Sequence, residues 1–286
     1  MTLPAKNTRY DDRLNRVADY IHDHLEEDIG FERLAEVACL SAFHWHRIYT
    51  AMRGETVVAT VKRLRLQRAA DRLANSDMPI AEIARRAGYG SAEAFGRAFR
   101  DVYGKPPADY RANGSHAAFK AATRESDAAG FPVSIETLPE IRCASIAHSG
   151  PYMQIDRAMG KLFEGLASQG LLTGATRMIG LFFDDPDAVP AEQLRSRACS
   201  PVASDAPLSS LLGETILHGG QYARLRYKGP YADMKDAYRW LWGVWLPNSG
   251  YDPAEAPVFE EYLNNPREVP PTELLTDIHL PLQEGA

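Results

Sequence analysis

Apolar positions recur at helical spacing through the first 111 residues and set out a run of short amphipathic helices. Tyr10, Leu14, Val17, Ala18, Ile21 and Leu25 form one stripe over Tyr10 to Glu26. Leu34, Val37 and Ala38 mark a second helix, and Leu40-Ser41 its turn and the cap of the next. Trp45, Ile48, Tyr49 and Met52 then follow at i, i+3, i+4, i+7 and predict a buried face, leaving Ala42, Phe43, His46, Arg47 and Thr50 outward. Thr56 to Asn75 reads as one long helix buried through Val57, Val61, Leu64, Leu66, Ala69, Ala70 and Leu73. Asp77 and Pro79 read as cap and first-turn proline of a helix with Ile80, Ile83, Ala84 and Ala87 inward. Gly88 and Gly90 break it, and Ser91 caps a last helix. That helix has Phe95, Ala98, Phe99 and Val102 on one face and Ala92, Glu93, Gly96, Arg97 and Arg100 on the other.

Two short helices joined by a tight turn, the second with an outward arginine, have the layout of a helix-turn-helix that enters a major groove. The layout occurs twice. Ser41, Trp45, Ile48, Tyr49, Met52 and Gly54 match Ser91, Phe95, Ala98, Phe99, Val102 and Gly104 fifty residues on, and Arg47 matches Arg97. The long helix between them would span roughly 30 Å at ~1.5 Å per residue, close to the ~34 Å separating major-groove faces on one side of B-DNA.

From 131 the pattern changes to strands and helices, again duplicated. Gly150, Pro151, Tyr152, Ile155, Ala158, Leu162 and Phe163 recur 79 residues later as Gly229, Pro230, Tyr231, Met234, Ala237, Leu241 and Trp242. Strand-like runs precede each Gly-Pro-Tyr and follow each helix. The expected fold is multidomain: an all-α domain with two helix-turn-helix motifs over 1–112, a small polar linker over 113–130, and an α+β domain of two duplicated strand-helix-strand units over 131–286.

Charge sharpens this division. The whole chain carries −6, but residues 43–111 carry +6 and residues 116–286 carry −8, so the basic side chains concentrate where phosphate contact requires them. Lys62, Arg63, Arg65, Arg68 and Arg72 on the long helix would touch phosphates or solvate its surface. His22 and His24 are two apart and fall on different helix faces, which argues against a shared zinc. Cys39, Cys143 and Cys199 are odd in number and far apart, as expected of reduced thiols. No apolar run reaches the ~18 residues of a membrane span, and the N-terminus lacks the apolar stretch of a signal peptide. A cytoplasmic protein is expected, with no cofactor and no metal.

The segments LAEVACLSAFHWHRIYTAMRGE and VKRLRLQRAADRLANSDMPIAEIARRAGYGSAEAFGRAFRDVYGKPPADYR resemble the DNA-binding domain of AraC/XylS-family transcriptional regulators. The resemblance covers residues 10–111. It implies seven helices, two helix-turn-helix units, double-stranded DNA as partner and possible contact with RNA polymerase. It places DNA contacts on Phe43, His46 and Arg47 and on Glu93, Arg97 and Arg100. Arginine can donate two hydrogen bonds to guanine, glutamate can accept from cytosine, and an aromatic ring can press a thymine methyl; a phosphate contact is the alternative for either Arg47 or Arg97. Glu93 stands where a neutral polar residue is more common in the family.

Residues 131–284 resemble the GyrI-like effector-binding domain, found behind AraC-type domains and in multidrug-sensing regulators. The doubled Gly-Pro-Tyr helix unit, PVFEEYLNNP and TDIHLPL carry the likeness. It implies a pseudo-twofold pair of units with a ligand groove between them. Glu260 matches the family's acidic residue, and Tyr222, Tyr227, Trp242, Trp245, Phe183 and Tyr262, with Trp240 and Phe259, supply aromatic rings for a small aromatic or cationic effector. The alternatives are ordinary core positions for the rings and a surface carboxylate for Glu260. The expected function is a DNA-binding regulator rather than an enzyme. Its rivals are a GyrI-like hydrolase of small electrophiles with Glu260 activating water, and a protein-contact module without effector.

Overall fold

A computed structural model gives the structure of the 286-residue chain; it describes residues 7–40, 45–113, 130–174 and 176–283. The chain forms two compact units that divide between Gly114 and Ser115. Among the described residues the first is helical: α1 (Asn7–Asp23), α2 (Phe31–Ala38), α3 (Trp45–Arg53), α4 (Val57–Asn75), α5 (Ile80–Arg86), α6 (Ala92–Tyr103) and α7 (Pro107–Asn113). The linker expected over 113–130 lies outside the described residues except at its two ends.

One core of the helical unit joins α1 to α4 through Leu14, Val17, Ile21, Leu34, Trp45, Tyr49 and Leu64. Around α6, Phe99 stacks on Tyr103 at 4.4 Å and meets Tyr110 edge-on at 5.1 Å. Thr56 caps α4 by accepting from Ala59 N, and Ser91 caps α6 by accepting from Ala94 N at 3.1 Å.

Three details differ from the sequence expectations. Met52 is 41% exposed, because α3 ends one residue later, and Arg53 turns back to Asn15 at 3.2 Å. Asp77 does not cap α5: Pro79 occupies the cap position, without a side-chain hydrogen bond. Tyr10 stands at the exposed end of its stripe.

The two helix-turn-helix units also differ by one residue. Leu40 N reaches Ala35 O, and Tyr89 N reaches Ala84 O, the same closure at an offset of 49. The left-handed residue at each closure is Cys39 (φ 49°) and Gly88 (φ 80°). The second turn therefore holds one extra residue, after which the offset becomes 50. At Gly88 the left-handed backbone favours glycine, and a Cβ there would also displace the Arg65 guanidinium. Cys39 sits in the same backbone region with a side chain, a conformation that costs L-residues roughly 1–2 kcal/mol. Arg13 donates to Cys39 O at 2.9 Å and closes that helix end.

The second unit contains an eight-stranded antiparallel sheet in the order β1-β6-β8-β7-β3-β4-β2-β5. The strands are β1 (Val133–Leu138), β2 (Ile141–Ser149), β3 (Met178–Phe182), β4 (Arg195–Pro201), β5 (Gly213–Leu217), β6 (Gly220–Lys228), β7 (Val258–Tyr262) and β8 (Leu275–Pro281). Helix α8 (Asp156–Ser168) follows β2, and α9 (Met234–Trp240) follows β6. A π-turn (Leu241–Trp245) and α10 (Leu246–Ser249) continue α9. The three tryptophans of this stretch therefore do not lie on one regular helix.

The repeat is visible in the topology: β2-β4-β3 abuts β7-β8-β6 about a central β3–β7 pair. Yet β1 pairs with β6 and β5 pairs with β2, so each half lends its first strand to the other half's edge. Only Pro139 and Glu140 separate β1 from β2, a reach of at most about 11 Å, although those strands stand near opposite ends of the order. The sheet must therefore curl until its ends approach. At Gly219, in the matching β5–β6 link, a Cβ would lie 2.8 Å from Glu140 N, so the two links touch.

The curl encloses Cys143, Ile179, Leu181, Cys199, Leu217, Tyr222 and Phe259. Burial pushes the Cys143 thiol up to about 11 and the Cys199 thiol up to about 12, so both stay protonated at neutral pH. On the other face, α8 packs on Ala144 and Ala198, and α9 on Leu225, Ile278 and Leu280.

Candidate functional site

In the helical unit the outward residues of α6 sit as the periodicity predicts. Phe95 and Phe99 are fully buried, which fixes the helix rotation and leaves Glu93, Arg97 and Arg100 exposed. Glu93 stands in the first turn. Its own backbone N–H and then Ser91 hold its carboxyl below the usual range, with Arg97 one turn on adding a smaller effect. In the first unit Arg47 is exposed. His46 is half-buried, its ring 5.4 Å from Phe31 and 6.1 Å from Trp45. Phe43 lies outside the described residues.

The basic side chains of α4 divide into two groups. Lys62 is exposed. Arg63 forks onto Glu55, Arg65 donates to Leu25 O at 2.8 Å and Glu27 O at 2.6 Å, and Arg72 pairs with Glu26. These three arginines brace the unit internally. His22 is buried, and His24 stacks on Tyr20 at 3.9 Å.

In the second unit the site forms around Glu260. In register, Glu260 opposes Ile278, and Ile278 opposes Leu225, which places all three on the helix-covered face. Glu260 is 7% exposed, so it is not a surface carboxylate. Tyr238 of α9 donates to Oε1 at 2.8 Å, and Tyr262, two residues along β7, donates to Oε2 at 2.9 Å. Among the described residues no basic side chain pairs with it. Burial pushes Glu260 up to about 7, the two phenols pulling the other way. Burial, then the adjacent carboxylate, raises both tyrosines well above their usual value, so they remain donors at neutral pH. Tyr231 meets Tyr262 edge-on at 5.5 Å.

The other expected ligand contacts disperse. Tyr222 lies on the opposite face, inside the curl, donating to His218 O at 2.8 Å. Phe259 lies there too, stacked on His279 at 4.3 Å. Tyr227 is fully buried and donates to Pro230 O at 2.7 Å. Phe183 is exposed, with the Arg197 guanidinium 5.6 Å from its ring centre. Trp240 packs edge-on against Phe131, and Trp245 stacks on Tyr251. Trp242 is 42% exposed, and its repeat partner Phe163 is exposed as well. Only Tyr262 of the expected rings joins Glu260 by hydrogen bond. The sequence reading missed Tyr238. Its signal was its position four residues before Trp242 on the second Gly-Pro-Tyr helix, where the first helix carries Met159.

The same buried carboxylate and doubled helix unit fall within residues 131–283, which match the family of the GyrI-like small molecule binding domain. The chain belongs to the GyrI-like family. Ahead of the GyrI-like domain, residues 34–113 match a helix-turn-helix domain, here of AraC type. The curated relatives match through this helical part. The chain is 35% identical over 102 residues to the uncharacterized HTH-type transcriptional regulator YbfP of Bacillus subtilis, covering 36% of this chain and 35% of YbfP. It is 35% identical over 104 residues to the HTH-type transcriptional activator RhaS of Salmonella paratyphi B, covering 36% of this chain and 37% of RhaS. The chain thus spans little more than a third of these relatives. A solved structure of EcmrR, in an EcmrR–DNA complex within EcmrR-RPo, shares the fold over 89% of this chain and 99% of that one, with TM-score 0.50 and 14% identity. No described helix is long and apolar enough to cross a membrane.

Proposed function

We propose that this chain is a sequence-specific DNA-binding transcriptional regulator whose GyrI-like domain senses a small aromatic cation. The observation that carries the reading is Glu260: a buried carboxylate with two phenol donors and, among the described residues, no basic partner. A carboxylate in that setting gains most from an organic cation, which supplies the missing charge while its apolar body packs against the neighbouring tyrosine rings. The face of α6 with Arg97 and Arg100, and Arg47 on α3, serve as the DNA-reading surface, and α4, about 28 Å long at ~1.5 Å per residue, spaces the two readers. Effector control requires the cation to bind one conformational state of the regulator better than another, with DNA or RNA polymerase as the partner that registers the change.

Gel shifts on the intergenic DNA upstream of the coding region test the reading. Arg97→Ala should lose about 1–3 kcal/mol of specific affinity and relax preference at one base pair. Retention indistinguishable from wild type would remove Arg97 from the reading surface.

A second reading is favoured by one feature. A carboxyl brought to about 7 is poised as a general base near neutral pH. If Glu260 activated water against small electrophiles, turnover would be measurable and lost in Glu260→Gln. Stoichiometric cation binding without turnover decides for the sensor.

A further inference from the structure

The second half of the GyrI-like domain repeats the first at an offset of 80 from β3 onward: Pro186, Val189, Pro190 and Leu194 recur as Pro266, Val269, Pro270 and Leu274. At this offset the repeat partner of Glu260 is Gly180, and the partner of Tyr262 is Phe182. Gly180 and Glu260 are also paired across the central strands. The pseudo-twofold axis therefore passes between a carboxylate and a hydrogen atom.

The hydrogen is required by its surroundings. A Cβ on Gly180 would lie 2.9 Å from the Tyr262 hydroxyl oxygen and 2.9 Å from Cε2 and Cζ of Phe182. Phe182 is braced edge-on by Tyr152 at 4.8 Å. The Tyr152 hydroxyl is itself tied, donating to Asp184 O at 2.8 Å and accepting from Asp184 N at 3.0 Å. The Tyr262 phenol is thus the group that yields, and its yielding breaks the 2.9 Å bond to Glu260 Oε2. We propose that Gly180 is a positioning residue of the effector site, its missing side chain being what lets Tyr262 reach Glu260. Loss of one phenol donor disfavours the ionised carboxylate, so Gly180 sets the fraction of the site charged to receive a cation. The inference rests on Glu260 being the effector contact. Among the described residues the titratable groups facing Glu260 are Tyr238 from α9 and Tyr262 from its own strand. Tyr152 and Tyr231 in turn act on those two phenols.

The test follows the Glu260 carboxyl directly, by ¹³C NMR of the full chain carrying ¹³C in its glutamate carboxyls. The signal is assigned by its absence in Glu260→Gln. Wild type should titrate near 7, as burial implies. Gly180→Ala and Tyr262→Phe should each raise the midpoint by about one pH unit, and the double variant should rise no further. At pH 7 that shift lowers the ionised fraction and weakens binding of benzyltrimethylammonium, measured by calorimetry, about fivefold. An unchanged midpoint in Gly180→Ala, or shifts that add in the double variant, overturns the proposal. Should Gly180→Ala fail to fold, Gly180→Ala combined with Phe182→Leu removes the braced ring. Compared with Phe182→Leu alone it must show the same rise, and an unchanged midpoint overturns the proposal equally. If wild type does not bind benzyltrimethylammonium, the cation-sensing reading fails, while the carboxyl titration still decides the role of Gly180.

Discussion

Glu260→Gln should make the GyrI-like domain more stable relative to wild type as the pH rises. Folding moves the Glu260 carboxyl from 4.5 to about 7, so between those values the folded chain holds a proton that the unfolded chain has released. Stability from this group is complete below about 4.5 and is lost as the pH climbs through 7. A shift of 2.5 units at ~1.36 kcal/mol each is about 3.4 kcal/mol in all, of which about 2.5 kcal/mol falls between pH 5 and pH 8. Glutamine keeps two polar atoms facing Tyr238 and Tyr262 but cannot ionise. Urea unfolding of the full chain in a Trp45→Phe background, where fluorescence comes only from Trp240, Trp242 and Trp245, gives the difference between variant and wild type at each pH. That difference should move by about 2.5 kcal/mol in favour of glutamine from pH 5 to pH 8. A constant difference would refute the reasoning, since it would mean that the carboxyl titrates alike folded and unfolded.

Other outcomes follow from the same geometry. If Glu260 is the effector contact as proposed, cation binding at pH 7 should release up to about half a proton per site, since the carboxyl ionises on binding; calorimetry in two buffers of different ionisation enthalpy reads this, and no buffer dependence contradicts it. Cys39→Gly should raise the melting temperature of the helical unit with a gain of about 1 kcal/mol, since glycine adopts the left-handed conformation freely. A lower melting temperature would show that the side chain contributes more than its strained backbone costs.

Helix positions were legible in the sequence because burial and 3.6-residue periodicity agree there, as at Phe95, Phe99 and Leu64. The 49-residue offset of the leading helices was missed: one added residue beside Gly88 shifts the register, and Cys39 disguises a position that glycine fills in the other copy. The second repeat was read from its Gly-Pro-Tyr turns and lost at β3, where Gly180 and Phe182 answer to Glu260 and Tyr262. Gly180 and Glu260 pair across the axis between the copies, where a Cβ on Gly180 would crowd the Tyr262 hydroxyl. Glu260 was singled out by its match to the acidic residue of the family the sequence resembles. Tyr238 was not, because a tyrosine on a buried helix looks the same in sequence whether it touches core or carboxylate. The exchange of β1 and β5 could not be read locally, since strand partners are chosen by the whole sheet.

That exchange has a consequence for the polypeptide cut in two. Residues 131–201 alone would leave one flank of β2 open and β1 without a mate, and residues 213–283 would be left in the mirror predicament. Either fragment could satisfy its backbone only by borrowing from a sister molecule. The domain therefore has the anatomy of a strand-swapped dimer soldered into one chain, and a single chain can place an acid on one side of its axis and a bare hydrogen on the other.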